Sequence, residues 1–247
     1  MITIKSEQEI KIMAEAGKIL SKVIKKTAKK AEQGITTKEL DRFAEDLILK
    51  SGAKPAFKNY QGFPSCLCAS INEVIVHGVP DNYKLKQGDI LSLDLGVKYK
   101  GYFSDMAITI PVGELDPERL RLIRVTKKAL KRGIKKLKQG RTFGDIGNTI
   151  QRYVESQGFG VVRELCGHGI GKELHEDPQI LNYGKRHTGE KIKNGMVVCL
   201  EPMVVVGDWK IKQSKDGFGF ETADKSLSAH FEHTILVTKN GPKILTI

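Results

Sequence analysis

Two stretches of the 247-residue chain recur in the same order at nearly the same spacing, and no other feature restricts its fold as much. Gln33-Gly34-Ile35-Thr36 opens a helical stretch closed by Gly52, and Gln139-Gly140-Arg141-Thr142 opens one closed by Gly158, at an offset of 106. Further on, the run from Leu85-Lys86-Gln87-Gly88 to Leu93-Asp94 resembles the run from Ile192-Lys193-Asn194-Gly195 to Leu200-Glu201, at an offset of 107. Asp94 therefore falls on Glu201. Either match alone fits shared turn chemistry, but both together favour an internal duplication. The expected fold class is α+β: a single domain, 1–247, of two pseudo-symmetric halves, about 1–112 and 113–247. Each half is a helix pair followed by antiparallel strands, with the strands merged into one central curved sheet and the helices on its outer face.

Local signals place the elements. Ser6-Glu7-Gln8-Glu9 and Thr36-Thr37-Lys38-Glu39 are capping boxes, in which the hydroxyl and the acid three residues on satisfy backbone donors reciprocally. Behind the first, Ile12, Met13, Ala16, Ile19, Leu20, Val23 and Ile24 recur at helical spacing. Asp116-Pro117 opens another helix, Asp capping and Pro suiting the first helical position. Segments 71–77, 89–97 and 102–112 read as strands between Gly and Pro punctuation.

Acids stand at matching places in both halves. Asp105 enters the strand after Asp94, and Glu232 the strand after Glu201. A pseudo-twofold axis would bring all four together. A hairpin with Tyr99-Lys100 at its tip would also set Asp94 directly opposite Asp105. Clustered carboxylates need positive charge, and the run Cys166-Gly167-His168-Gly169-Ile170-Gly171-Lys172-Glu173-Leu174-His175 offers two imidazoles nearby. One His with four carboxylates suits a pair of divalent ions such as Mn, Fe, Co or Zn. Two such ions can bridge a water and lower its pKa until it serves as a hydrolytic nucleophile. A phosphate loop is disfavoured, because Gly167-x-Gly169-x-Gly171 lacks the GxGxxG spacing.

Four motifs carry a resemblance that spans nearly the whole chain: Asp94 with Asp105 eleven residues on; Gly167-His168-Gly169-Ile170-Gly171 continuing to His175-Glu176-x-Pro178; Glu201-Pro202-Met203; and Ser226-Leu227-Ser228-Ala229-x-Phe231-Glu232-His233-Thr234. Together they resemble the methionine aminopeptidases. The resemblance implies the pita-bread metallopeptidase fold and a dinuclear centre of two divalent ions held by Asp94, Asp105, His168, Glu201 and Glu232, with Asp105 and Glu232 bridging. It implies that His175 donates to the scissile carbonyl, that His77 contacts the peptide amide beyond it, and that Glu201 passes a proton to the leaving amine. The methionine pocket corresponds to Tyr60, Phe63, Cys68, Leu174 and Phe218, where Leu174 replaces a common Phe and Phe218 a common Trp. With only 25 residues between His175 and Glu201 there is no helical insertion, which matches the short bacterial type I enzymes. The implied activity is removal of the initiator methionine from nascent chains whose second residue is small, the attack made by a hydroxide on the metals.

Charge suggests a second reading. The chain carries 41 Lys and Arg against 29 Asp and Glu, a formal +12, and a non-catalytic pita-bread protein that binds RNA would fit it. The presence of all five implied ligands and both histidines favours the enzyme. Ten of those cations lie between Arg119 and Lys138, on a helix whose expected buried stripe is Leu120, Ile123, Leu130, Ile134 and Leu137 and whose exposed stripe is Arg124, Lys128, Lys131, Lys135 and Lys138. The family's role implies docking of that stripe on ribosomal RNA, and family precedent a monomer. No apolar run approaches the roughly 20 residues that span a bilayer. The N-terminus has no signal-peptide character, and the four cysteines form no CxxC pair, so a cytoplasmic location with reduced thiols is expected.

Overall fold

The computed structural model describes residues 2–247. Four α-helices start where the sequence supplies caps: α1 (Glu7–Lys30), α2 (Thr37–Lys50), α3 (Pro117–Lys136) and α4 (Phe143–Ser156). Ser6 with Glu9, Thr36 with Glu39 and Thr142 with Asp145 all close both arms of the capping box. Asp116 Oδ1 accepts from the Glu118 and Arg119 N–H groups at the head of α3.

The repeated sequence is built with repeated hydrogen bonds. Gly34 N–H donates to Leu85 O and Leu85 N–H to Ile35 O; 106 to 107 residues later Gly140 N–H donates to Ile192 O and Ile192 N–H to Arg141 O. The isolated bridges Thr36 to Lys84 and Thr142 to Lys191 follow the same offset.

Each helix pair covers its own sheet. Leu20, Ile24, Leu40 and Ile48 of α1 and α2 pack on Leu91, Leu93 and Leu95 of strand Ile90–Tyr99, which lies between Leu67–Ile71 and Tyr102–Pro111. Leu122, Leu130, Ile146 and Ile150 of α3 and α4 pack on Val198, Leu200, Ile235 and Val237. Those residues belong to strands Val197–Leu200 and His233–Thr238, which pair antiparallel; Gly167–Gly169 lies on the other side of Val197–Leu200 and Gly241–Ile244 at the far edge. Because side chains alternate across a sheet, residues 94, 105, 199 and 234 point away from the helices. The two sheets meet at a seam on that inner side. Glu232 N–H donates to Ala107 O (2.9 Å), and the Thr234 hydroxyl accepts from Asp105 N–H (2.9 Å) while donating to Asp105 O (2.7 Å).

Two expectations are corrected. The hairpin turns on Lys100-Gly101, with φ of 48° and 88°, so Tyr99 pairs with Tyr102 and Asp94 with Ala107, while Asp105 stands opposite Gly96. Positive φ at both central residues suits a two-residue turn with Gly second, which moves the register by two. Asp94 and Asp105 remain on one face as a diagonal pair. On α3, Leu120 is exposed and Ile123 half-buried, whereas Leu122, Val125, Thr126, Ala129 and Gly133 are buried. The buried arc centres on small residues because α4 approaches closely there: a Cβ on Gly133 would lie 2.9 Å from Ile150 Cδ1. No helix among the described residues is long and apolar enough to cross a membrane.

Candidate metal centre and active site

A cavity of about 680 Å³ opens on the inner face of the sheets, and all twelve residues singled out from the sequence line it. Asp94, Asp105, Glu201, Glu232 and His168 form its floor. Tyr60, Phe63, Cys68, Leu174 and Phe218 stand along an apolar side, and His77 and His175 complete the lining.

The floor is a crowded set of donors of the kind that hold metal ions. Oxygens of Asp94, Asp105 and Glu232 lie within 4.8 Å of one another, as do donor atoms of His168, Cys199 and Glu232. His168 Nδ1 pairs with Gly169 O at 2.8 Å; with the ring N–H used there, the Nε2 lone pair faces Glu201 Oε1 at 3.7 Å and Glu232 Oε1 at 3.8 Å. Donor atoms bonded at about 2.0–2.2 Å to one tetrahedral ion stand roughly 3.5 Å apart, so these separations suit a shared cation. Asp94 Oδ1 and Glu232 Oε1 are buried with no hydrogen-bond partner among the described residues. Burial, reinforced by mutual repulsion, pushes the Asp105, Glu201 and Glu232 carboxyls well above the usual range, and burial pushes Asp94 up to about 6. Burial also drives the His168 imidazole down to about 3, keeping it neutral and free to coordinate. Hard oxygens with one imidazole fit divalent cations of intermediate hardness. Cys199 holds its proton, since burial raises its thiol strongly, and carboxylates remain the principal donors.

Local structure fixes the histidines. His175 follows a turn in which Glu176 Oε1 accepts from Lys172 and Glu173 N–H while Glu176 Oε2 pairs with buried Lys5 Nζ at 2.6 Å. Gly171 leaves room for this pair, because a Cβ there would fall 2.5 Å from Lys5 Cε and 2.6 Å from Glu176 Oε1. Tyr60 Oη lies 3.0 Å from His175 Nδ1. His77 has φ of 58°, a left-handed backbone that a non-glycine residue adopts at a cost of about 1–3 kcal/mol, and such strain gathers at functional sites. Gly78 follows because a Cβ would strike Ala69 O at 2.5 Å. Phe63 and Phe218 meet edge to face at 5.5 Å across the apolar side.

Two participants were missed in the sequence. His230 is fully buried, its Nε2 is 3.4 Å from Glu201 Oε2, and neither ring nitrogen has a hydrogen-bond partner among the described residues. The available signal was alternation, since His230 precedes Glu232 by two positions. Lys5 is 171 residues from Glu176, and nothing local announces the pair.

The chain matches the sequence profile of metallopeptidase family M24 over residues 11–239. It belongs to that family. It is 47% identical over 247 residues to the methionine aminopeptidase of Clostridium perfringens, covering 100% of this chain and 99% of that one, and 46% identical to methionine aminopeptidase 1 of Bacillus subtilis at the same coverage. Its fold matches the crystal structure of a methionine aminopeptidase from Thermotoga maritima with a TM-score of 0.98 at 45% identity, covering 100% and 99% of the two chains. The prolidase of Pyrococcus furiosus, at 27% identity and a TM-score of 0.81, shares the fold over 99% of this chain but only 65% of its own. The pita-bread architecture of the M24 metallopeptidases is thus that of this chain, and divalent metal use follows from the family.

Proposed function

We propose that the chain is a metal-dependent aminopeptidase that removes the N-terminal methionine of nascent polypeptides when the second residue is small. One observation carries the reading: a floor of clustered carboxylates and one imidazole, with Asp94 Oδ1 and Glu232 Oε1 buried and unpartnered among the described residues, lies beside an apolar wall, in a chain that matches methionine aminopeptidases from end to end. Asp94, Asp105, His168, Glu201 and Glu232 would hold two divalent ions, Co, Mn, Fe or Zn. Such ions, when bound, lower the pKa of water enough to supply a nucleophile at neutral pH.

The chain's own residues do the rest. The apolar side built from Tyr60, Phe63, Cys68, Leu174 and Phe218 takes an unbranched thioether, whose sulfur favours aromatic edges. His175 donates to the scissile carbonyl where negative charge develops. His77 contacts the amide beyond it. Glu201, which faces His168 and His230 on the floor, carries the proton from the attacking water to the leaving amine.

The repeated hydrogen bonds support one catalytic domain with halves at about 1–112 and 113–247. The exposed cations Arg124, Lys131, Lys135 and Lys138, with Lys128, support docking of α3 on the ribosome surface near emerging chains, by a cytoplasmic monomer. Salt-sensitive co-sedimentation with ribosomes, lost on replacing these residues, tests that part. The activity is tested by supplying the purified protein with Mn or Co. Release of methionine from Met-Ala-Ser, abolished in Glu201→Gln, supports the reading. No release, together with RNA binding by the same protein, replaces it with a non-catalytic one.

A further inference from the structure

A second cavity, about 500 Å³, lies away from the metal floor between α3 and α4. Its wall gathers six cations, Lys128, Arg132, Lys136, Arg141, Arg152 and Arg186, against a single acid, Asp145. Lys128, Arg132 and Lys136 are spaced by four along one side of α3; Lys128 also borders the outward stripe assigned above to the ribosome, while Arg132 and Lys136 lie outside it.

That acid is already committed. Asp145 Oδ2 accepts from the Thr142 N–H and hydroxyl, and Oδ1 from His187 N–H, with Arg186 Nε 4.0 Å away. The neutral polar groups are engaged as well. Asn148 donates to Gly184 O, Thr149 to Asp145 O and Ser156 to Tyr153 O. Lys128, Arg132, Lys136, Arg141 and Arg152, by contrast, have no carboxylate within 4.0 Å among the described residues. Lys128 and Arg132 instead lie over the Tyr153 ring, at 5.6 and 4.3 Å from its centroid, which holds them at the rim.

Five uncompensated cations around one hollow repel each other and focus a strong positive potential into it. A cavity of this size matches a small-molecule site. Guanidinium groups present forked donors suited to phosphoryl oxygens, and four of the six are Arg. One phosphate would neutralise only part of the charge; a chain of phosphates matches it. The cations come from α3, α4 and the loops bearing Arg141 and Arg186, so they surround a ligand rather than tile a flat face. We propose that this cleft binds a compact polyphosphate anion, either inorganic polyphosphate or the phosphate chain of a nucleotide.

The magnesium salt of tripolyphosphate, titrated calorimetrically into metal-loaded protein at 0.15 M KCl, tests this without stripping the catalytic metals. The expected result is one saturable site, weakened about tenfold or more in Arg132→Ser/Arg152→Ser and in Lys136→Ser/Arg186→Ser, with methionine release unchanged. Lys22→Ser/Lys26→Ser on α1, which removes as much charge elsewhere, should leave binding intact. Parallel titrations separate the sources: equal binding of ATP and tripolyphosphate points to the phosphate chain alone, and tighter binding of ATP to a nucleotide. The proposal is overturned if binding is not saturable, if the α1 variant weakens it equally, or if only an RNA oligomer binds.

Discussion

The hydroxyl of Tyr60 sits 3.0 Å from Nδ1 of His175, with the two rings edge to face at 5.4 Å. For His175 to donate from Nε2 into the cavity, Nδ1 must accept, so the Tyr60 O–H donates and selects the tautomer. Burial raises the Tyr60 hydroxyl above its ordinary pKa, which keeps that proton in place. Tyr60→Phe keeps the apolar wall and loses only this bond. A net contribution of about 1 kcal/mol corresponds to a five- to tenfold fall in kcat with KM nearly unchanged. Steady-state kinetics on Met-Ala-Ser check it, and a change confined to KM would assign Tyr60 to the pocket alone.

Glu232 belongs to the oxygen cluster with Asp94 and Asp105 and also faces His168. Removing its charge should therefore weaken binding throughout the centre. Glu232→Gln is expected to lower metal affinity by more than the roughly 10–100-fold typical of losing an outer partner. Metal content after dialysis is the measurement, and full wild-type stoichiometry would show that the remaining donors suffice.

Without metal, the acid cluster reverses the usual pH trend. Asp94 titrates near 6 when folded and near its ordinary 3.8 when unfolded, and Asp105, Glu201 and Glu232 shift the same way. Between those values the acid cluster binds more protons in the folded chain than in the unfolded one. This contribution to stability is present below pH about 4 and lost as pH rises through about 6. The buried histidines, shifted downward, contribute with the opposite sign, so the cluster is read against the Mn-loaded protein: relative to it, chelator-treated protein should lose melting temperature between pH 5.5 and pH 7.5. Metal binding near pH 6 should also release protons, seen as a calorimetric heat that varies with the buffer.

Lys5 and Glu176 are a buried pair, with side chains 5% and 12% exposed. Lys5→Met leaves a carboxylate without its cation at a cost of about 3–5 kcal/mol. The melting temperature should drop by about 10 °C. Adding Glu176→Gln removes the stranded charge, so the double variant should recover part of the loss; a double variant as unstable as the single one would place the cost in packing instead.

Much of this architecture was legible because its determinants are local. A capping box lies within four residues, and Asp116-Pro117 announces α3 wherever it occurs. The clustering of the four candidate acids was readable through the repeat, which turned a long-range juxtaposition into two short-range patterns. The hairpin register was not readable by the same means, because it hangs on whether the turn includes Tyr99 or Gly101. Nor was the buried arc of α3. Hydrophobicity ranks Leu120 above Gly133, while helix packing needs the small residue where Ile150 intrudes. His230 escaped because a single imidazole on a strand says nothing about which carboxylate it faces.

The seam between the two sheets has a consequence in time. Asp94 and Asp105 precede residue 112, whereas His168, Glu201 and Glu232 follow residue 167, and Thr234 ties Asp105 into place from the far side. A ribosome must add more than a hundred residues after Asp105 before Glu232 emerges. The candidate floor is therefore incomplete while only the first half of the chain exists, and it closes only when the later strands dock against Asp105.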